Sequence, residues 1–169
     1  LRPRTSATTM HIPVIDFAPW MSDEGAVVGA EPTEAQLAVC SQIDSACKEH
    51  GFLYVTNFIE PTLIADAFAA SKELFALPES HKHEQLCRLT KLTNNMGYSP
   101  YAAEQLNRRR APDLKEAFNV KLPSLKATDY RGCPSAFETT SARLFEEVHR
   151  FYQRYCIASA VALGLDDRD

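Results

Sequence analysis

The chain has 169 residues, of which 45% are hydrophobic and 24% are charged, as is usual for one globular domain. Its formal net charge of −4 argues against a nucleic-acid-binding protein, which normally carries a basic surface. No stretch approaches the roughly 18 consecutive apolar residues of a membrane span, so we expect neither nucleic acid nor membrane as a partner.

The five cysteines are an odd number and contain no Cys-x-x-Cys pair. Cys40 and Cys47 lie seven positions apart on a predicted helix, so they share a face, as buried small hydrophobic residues often do. A disulfide or zinc site is the alternative, but the spacing does not support either. This pattern favours a reducing compartment, and we expect a cytoplasmic protein.

Residues 1–10 are predicted to form a disordered leader. They carry Arg2, Arg4 and several hydroxyl side chains but no acidic residue, a composition faintly similar to an organelle transit peptide. They have no apolar face. We therefore place the folded domain at residues 11–169.

The first half of that domain reads as strand, loop, helix and strand. Residues 12–17 are rich in strand formers, and residues 18–32 contain the glycines and prolines of a loop. Thr33 and Gln36 form a predicted capping box that starts a helix ending near Gly51. The inward stripe of this helix is predicted to contain Leu37, Cys40, Ile43, Ala46 and Cys47. Residues 52–58 are then predicted to form a strand that is buried on at least one face.

A second helix opens at Pro61 and must end near Leu77, because Pro78 disfavours a helical residue before it. Its predicted inward stripe contains Leu63, Ile64, Ala67, Phe68, Leu74 and Phe75. Residues 79–93 are predicted to form a short polar helix and a loop, with His81-Lys82-His83 exposed.

Two short extended segments, 98–101 and 117–120, precede the best-defined element. A third helix begins with the capping box Ser135-Ala136-Phe137-Glu138, runs for about 28 residues and ends near Gly164. Its apolar stripe is predicted to contain Phe137, Leu144, Val148, Phe151, Tyr155, Ala158 and Ala162. The fold class is therefore α+β, with three main helices and about four short strands. The strands have no hairpin partners, so we expect their partners beyond Asp169 or in another chain.

Six motifs follow one another in a fixed order. The chain thereby resembles the amino-terminal region of the iron(II)/2-oxoglutarate-dependent dioxygenases, in the branch that includes isopenicillin N synthase. The motifs are Ile12-Pro-Val-Ile-Asp-Phe17, Gly51-Phe-Leu-Tyr-Val55, Leu77-Pro78, Asn95-Met-Gly-Tyr98, Asp113-Leu-Lys-Glu-Ala-Phe118 and Ala162-Leu-Gly-Leu165. The resemblance implies that the short strands join the edges of a double-stranded β-helix, or jelly roll. Most of that jelly roll is missing from this chain.

The resemblance also implies the chemistry of the full-length parent. Such enzymes bind Fe(II) through His-x-Asp and a later His, and they bind 2-oxoglutarate through Arg-x-Ser. This chain contains no His-x-Asp, and its only Arg-x-Ser is Arg4-Thr5-Ser6 in the leader. We therefore expect no catalytic, metal-binding or cosubstrate-binding residues here and no activity of this chain alone. The parent would hydroxylate, desaturate or cyclise a small organic substrate, with the jelly-roll half as the missing partner.

Four residues are predicted from the resemblance to line the substrate pocket: Asn95, Met96, Tyr98 and Phe118. Met96 stands where the family often has Arg, which suggests a less polar substrate. The alternative is structural: Gly97 would permit a bend, while Tyr98 and Phe118 would pack in the core.

Two other functions remain open. The chain could be a stand-alone, non-catalytic helical interaction module or a pseudo-enzyme remnant. It could also be an unrelated α/β enzyme that uses Cys47 beside His50, although the place of Cys47 on the apolar stripe favours an inert, buried thiol.

Overall fold

The computed structural model describes residues 11–22, 31–90, 95–105, 107, 109–121 and 128–165. The leader predicted at residues 1–10 lies outside this part of the chain. The described residues form five helices and four strands. In chain order these are β1 (Val14–Asp16), α1 (Ala18–Met21), α2 (Glu34–Glu49), β2 (Tyr54–Thr56), α3 (Pro61–Phe75), α4 (Glu79–Glu84), β3 (Gly97–Ser99), β4 (Ala117–Asn119) and α5 (Ser135–Ala162).

The prediction of three main helices and a few short strands is confirmed, and the described residues are rich in helix. Helices α2, α3 and α5 have 16, 15 and 28 residues, and each strand has three. The chain divides into two compact units, one from residues 1–59 and 150–169 and the other from residues 60–149. Within the described ranges each unit contains one two-stranded sheet: β1 runs parallel to β2, and β3 runs antiparallel to β4.

The core of the first unit forms where β1 meets α2 and the last part of α5. The predicted capping box starts α2: Gln36 N donates to Thr33 Oγ1 at 3.3 Å, and Thr33 N donates to Gln36 Oε1 at 2.8 Å. Aromatic edges contribute further contacts, since the Phe17 and Phe151 rings lie 5.1 Å apart. The buried residues of this core are Ile15, Phe17, Trp20, Val39, Cys40, Ile43, Ala46 and Ala158.

The prediction of a loop throughout residues 18–32 was wrong at its start. Pro19 is well suited to the first turn of a helix, and residues 18–21 form α1. This turn places Trp20 in the core, where its Nε1 donates to Gln36 O at 3.2 Å. Burial of one large aromatic side chain thus outweighs the loop composition around it.

The predicted stripe of α2 was wrong at both ends, because Leu37 and Cys47 are exposed. The buried positions step from Val39 and Cys40 to Ile43 and Ala46, so the buried face turns away from residue 47. The strand predicted over 52–58 is also shorter and more exposed than expected: only 54–56 are extended, and Phe52 and Tyr54 are exposed.

The second unit is built around the inner face of α3 and the β3–β4 pair. Its buried core residues are Ala70, Leu74, Leu86, Tyr98 and Phe137. Helix α3 starts and ends where predicted, but Ile64 and Phe68 are exposed rather than inward, Phe68 by 68%. Only a narrow stripe of α3 is buried, so the wide apolar face expected from its composition is not covered within the described residues.

Helix α5 has the predicted 28 residues. It ends with Gly164 at φ +71°, and Leu165 N donates to Ala160 O at 3.0 Å, an arrangement typical of glycine-terminated helices. Val148, predicted on the apolar stripe, is exposed. None of the described helices combines the length and apolar character needed to cross a bilayer.

Candidate functional site

Gly97 allows β3 to approach the segment 87–89 very closely. Its φ is +98°, and a Cβ at this position would lie 2.2 Å from Cys87 O. Tyr98, the central residue of the strand, bonds to that segment through both its N–H and its C=O: Tyr98 N donates to Cys87 O, and Leu89 N donates to Tyr98 O. Only glycine fits here, so the Gly97-Tyr98 pair positions the whole sheet.

The β3–β4 pair has two chemically different faces, because successive side chains of a strand point to opposite sides. Tyr98 and Phe118 are cross-strand partners on the face that packs into the core. The Phe118 ring lies 5.2 Å from Phe137 and 6.0 Å from Tyr130. The other face presents small and polar side chains, among them those of Ser99 and Asn119.

This second face lines a groove of about 480 Å³. The groove is lined by Leu89, Asn95, Ser99, Ala103, Glu104, Lys115, Ala117 and Asn119. Asn119 Nδ2 donates to Asn95 O at 3.3 Å, which fixes one end of the groove. At its rim, Lys115 Nζ lies 2.5 Å from Glu104 Oε2. We refer to this set of residues as the β3–β4 groove.

The structure separates the four residues predicted to line a substrate pocket. Asn95 lines the β3–β4 groove, whereas Met96 is 2% exposed, Tyr98 is 0% exposed and Phe118 is half-buried in the core. Their contact with a substrate stays a prediction. Because the Met96 side chain is buried, its presence in place of Arg says nothing about the polarity of the groove.

Sequence reasoning missed most of the groove, although the signal was available. Ser99, Ala117 and Asn119 alternate with the two aromatic residues that were singled out. A period of two places alternate residues on the opposite face. Glu104 and Lys115 had no such signal, because they lie outside the strands.

A buried ion pair lies behind the sheet, where an exposed charged segment was predicted. Lys82 is 3% exposed, and its Nζ lies 2.9 Å from Glu116 Oε2 and 2.8 Å from Glu79 Oε1. It also donates to Phe75 O at 3.2 Å, and Tyr98 Oη donates to Glu116 Oε2 at 2.7 Å. The prediction of an exposed His81-Lys82-His83 run was therefore wrong for Lys82, because one of its two carboxylate partners, Glu116, lies 34 positions away and is invisible to local patterns.

The environment keeps both Tyr98 and Lys82 protonated. Burial, followed by the hydrogen bond to Glu116, raises the pKa of Tyr98 to about 12. Burial alone would lower the pKa of Lys82, but its bonds to Glu79 and Glu116 raise that pKa above its ordinary value. Lys82 is thus a permanent cation with a structural role rather than a nucleophile.

The histidines do not assemble a facial triad. His81 Nε2 donates to Gly132 O at 2.7 Å, and His83 Nδ1 accepts from Arg88 Nη1 at 3.1 Å. Across the described ranges, no three side chains of His, Cys, Asp or Glu are grouped so that they could hold a metal ion. The donors in this part of the chain therefore do not fit the two-histidine, one-carboxylate site of a non-haem iron enzyme.

The cysteine prediction holds for one of the two residues on α2. Cys40 is buried, whereas Cys47 is exposed, so Cys47 is not the inert, buried thiol that was expected. Elsewhere, burial is the main cause that raises the pKa of Cys87, and it raises the pKa of Cys133 to about 12.

Comparison with known proteins agrees with this fold. Residues 12–136 match the family described as "non-haem dioxygenase in morphine synthesis N-terminal". The chain belongs to this family of amino-terminal non-haem dioxygenase domains, as the ordered motifs suggested.

Curated relatives support the same assignment. A 2-oxoglutarate-dependent dioxygenase of Didymella fabae is 31% identical over an alignment of 124 residues, and the match covers 72% of this chain and 35% of that protein. Gibberellin 20 oxidase 1-B of Triticum aestivum is 28% identical over an alignment of 159 residues, and the match covers 89% of this chain and 37% of that protein. The chain thus spans about a third of the length of the curated relatives that it matches.

Solved structures share the fold. A full-length Neurospora crassa protein, in complex with alpha-KG and thymine, superposes with a TM-score of 0.67 at 23% identity, and the match covers 96% of this chain and 51% of that one. The dioxygenase for auxin oxidation in rice superposes with a TM-score of 0.63 at 23% identity, over 93% of this chain and 47% of that one.

Proposed function

We propose that this chain is the amino-terminal part of an iron(II)/2-oxoglutarate-dependent oxygenase that acts on a small organic substrate. In this proposal the chain provides scaffold and one wall of the substrate cavity, and the iron and cosubstrate ligands belong to a jelly-roll half not included in it. The observation that carries the proposal is the family match over residues 12–136, supported by relatives that are themselves named 2-oxoglutarate-dependent dioxygenases.

The sequence of this chain has no His-x-Asp, so the proposal assigns the iron ligands to the jelly-roll half. The Neurospora crassa protein binds alpha-KG together with thymine, which illustrates the size of ligand such a fold can serve. The substrate and the reaction outcome of this protein are part of the proposal.

We further propose that the β3–β4 groove is the wall that faces the substrate. Asn95, Ser99 and Asn119 would contact the ligand directly. Tyr98 and Phe118 would support the same wall from the core side, where Tyr98 bonds to Glu116. This keeps the predicted segment as a substrate region but reassigns the contacting side chains to the opposite face of the sheet.

The proposal is tested at two levels. The coding sequence that follows Asp169 should contain His-x-Asp, a later His and Arg-x-Ser in that order. The protein of natural length should release succinate from 2-oxoglutarate only with Fe(II), and residues 1–169 alone should not. A downstream coding sequence without these residues, or a natural-length protein without turnover, would refute the assignment.

One observation favours the alternative of a non-catalytic interaction module. Val14 and Tyr54 are cross-strand partners in the first unit, and both are exposed, so the β1–β2 sheet presents apolar side chains. This alternative requires that residues 1–169 unfold cooperatively as a soluble monomer. Denaturation and sedimentation measurements on that chain distinguish the two functions.

The cytoplasmic location also stays a proposal, which rests on the odd number and the spacing of the cysteines.

A further inference from the structure

Among the described residues that line the β3–β4 groove, Lys115 is the cationic side chain, and the way it is held bears on which ligands the groove accepts. Lys115 and Glu104 form an ion pair at the rim, and both side chains are largely solvent-accessible. A free lysine at this place would attract carboxylate ligands. The pairing removes most of that attraction.

The backbone places the two charges opposite each other. Ala102 N donates to Lys115 O at 3.2 Å, and Asp113 N donates to Glu104 O at 2.8 Å. These two bonds join the segment 102–104 to the segment 113–115 on either side of the pair. The local fold therefore brings these two side chains to the same place on the rim.

A second carboxylate acts in the same direction. The bond to Glu104 raises the pKa of Lys115, and the nearby charge of Asp113 raises it further. An anionic ligand would therefore meet a paired ammonium rather than a free cation at this end of the groove.

The other described lining residues are uncharged and include hydrogen-bonding groups. Asn119 carries a carboxamide, and Ser99 carries a hydroxyl, so each offers both a donor and an acceptor. Leu89, Ala103 and Ala117 supply the apolar part of the walls. A volume of about 480 Å³ fits a small organic ring with its polar substituents.

We propose that the β3–β4 groove selects uncharged small molecules with an amide- or imide-like edge, and that Glu104 enforces this selection by neutralising Lys115. This inference rests on the proposed function for the reaction, but it concerns binding alone. Ligand binding to the groove is measured without turnover. The ligand selectivity of the groove and the proposed reaction can therefore fail independently.

The experiment uses the natural-length protein and two matched pairs of probes, uracil with orotate and benzamide with benzoate. Within each pair the ring is kept while a carboxylate is added or replaces the amide. Binding is measured by ligand-observed nuclear magnetic resonance, and its place by shifts of the Asn95 and Asn119 side-chain amides. The wild-type protein should bind each neutral probe about tenfold tighter than its anionic partner.

Glu104→Gln is the decisive variant, because it leaves Lys115 without its carboxylate partner on an exposed rim where folding is not at risk. Affinity for orotate and benzoate should rise about tenfold, and affinity for uracil and benzamide should stay within about twofold. Glu104→Gln combined with Lys115→Met should lose that gain. Asp44→Asn, which breaks the ion pair of Lys48 on α2 instead, is the matched control and should change none of these affinities.

Three outcomes would overturn the inference. The first is equal binding of neutral and anionic probes to the wild type. The second is a Glu104→Gln variant without a gain for anions. The third is the absence of any probe-induced shift at Asn95 and Asn119. If these binding results hold while succinate release fails, the proposed reaction falls and the selectivity of the groove remains.

Discussion

Replacing Glu116 with glutamine should destabilise the second unit well beyond the effect of removing a surface charge. Glu116 is the less exposed of the two carboxylates that hold Lys82, at 23% against 66% for Glu79. It also accepts the hydroxyl of Tyr98. Glutamine keeps the shape and one acceptor oxygen, so the substitution removes mainly the charge that compensates the buried ammonium.

The expected size follows from this geometry. Removing one partner of a fully buried pair typically costs roughly 3–5 kcal/mol, because the other charge is left uncompensated. Here Glu79 still lies 2.8 Å from Lys82 and the amide still accepts a bond, which reduces the loss. We expect Glu116→Gln to lower the free energy of unfolding by about 2 kcal/mol. Lys82→Met should cost a similar amount, and the double variant clearly less than the sum.

Urea denaturation of the single and double variants measures these terms as a double-mutant cycle. Asp44→Asn provides the control, because it breaks an exposed i,i+4 pair and should cost only about 0.4 kcal/mol. Strictly additive effects of Glu116→Gln and Lys82→Met, or a Glu116→Gln effect no larger than the control, would refute a coupled buried pair.

Three other properties can be measured directly. Gly97→Ala should lower the free energy of unfolding by about 3 kcal/mol or more, because the new Cβ would lie 2.2 Å from a backbone carbonyl oxygen. Gly51→Ala should lower it by about 1 kcal/mol, because this position has φ +71° but open space around it. Denaturation of the two variants compares these losses. In an ultraviolet titration of the folded protein, Tyr98 should ionise only near pH 12. Since its folded pKa is raised, the stability it contributes is complete below about pH 10 and is lost as the pH rises towards 12; Tyr98→Phe should remove the late titration step. Under native conditions a thiol reagent should label the exposed Cys47 and Cys156 before the buried cysteines, and protection of Cys47 would contradict its exposed position.

The three long helices, α2, α3 and α5, were predictable because their signals are local. The Thr33–Gln36 capping box, the proline at Pro61 and the glycine at Gly164 each specify a boundary through the backbone of neighbouring residues. The exposure of Phe68 and Cys47 was not predictable from the same patterns. Composition shows which side chains are apolar, but the number of neighbours available to cover them depends on tertiary contacts.

The sequence pointed to the segment around Asn95 as a substrate region, and its contact with a substrate stays a prediction. The segment from Asn95 to Tyr98 does border a groove, yet the aromatic residue that drew attention packs inward. Glu104 and Lys115, which are separated in the sequence, are brought together by backbone bonds between two irregular segments. Such long-range pairings carry no periodic signal, and the same holds for Lys82 and Glu116.

The central claim is that this polypeptide shapes a substrate wall while the iron is held elsewhere. It is tested most directly by titrating purified residues 1–169 with Fe(II) under anaerobic conditions, and by measuring succinate after 2-oxoglutarate and oxygen are added. We predict no stoichiometric iron and no succinate. One tightly held iron per chain, accompanied by succinate, would contradict it.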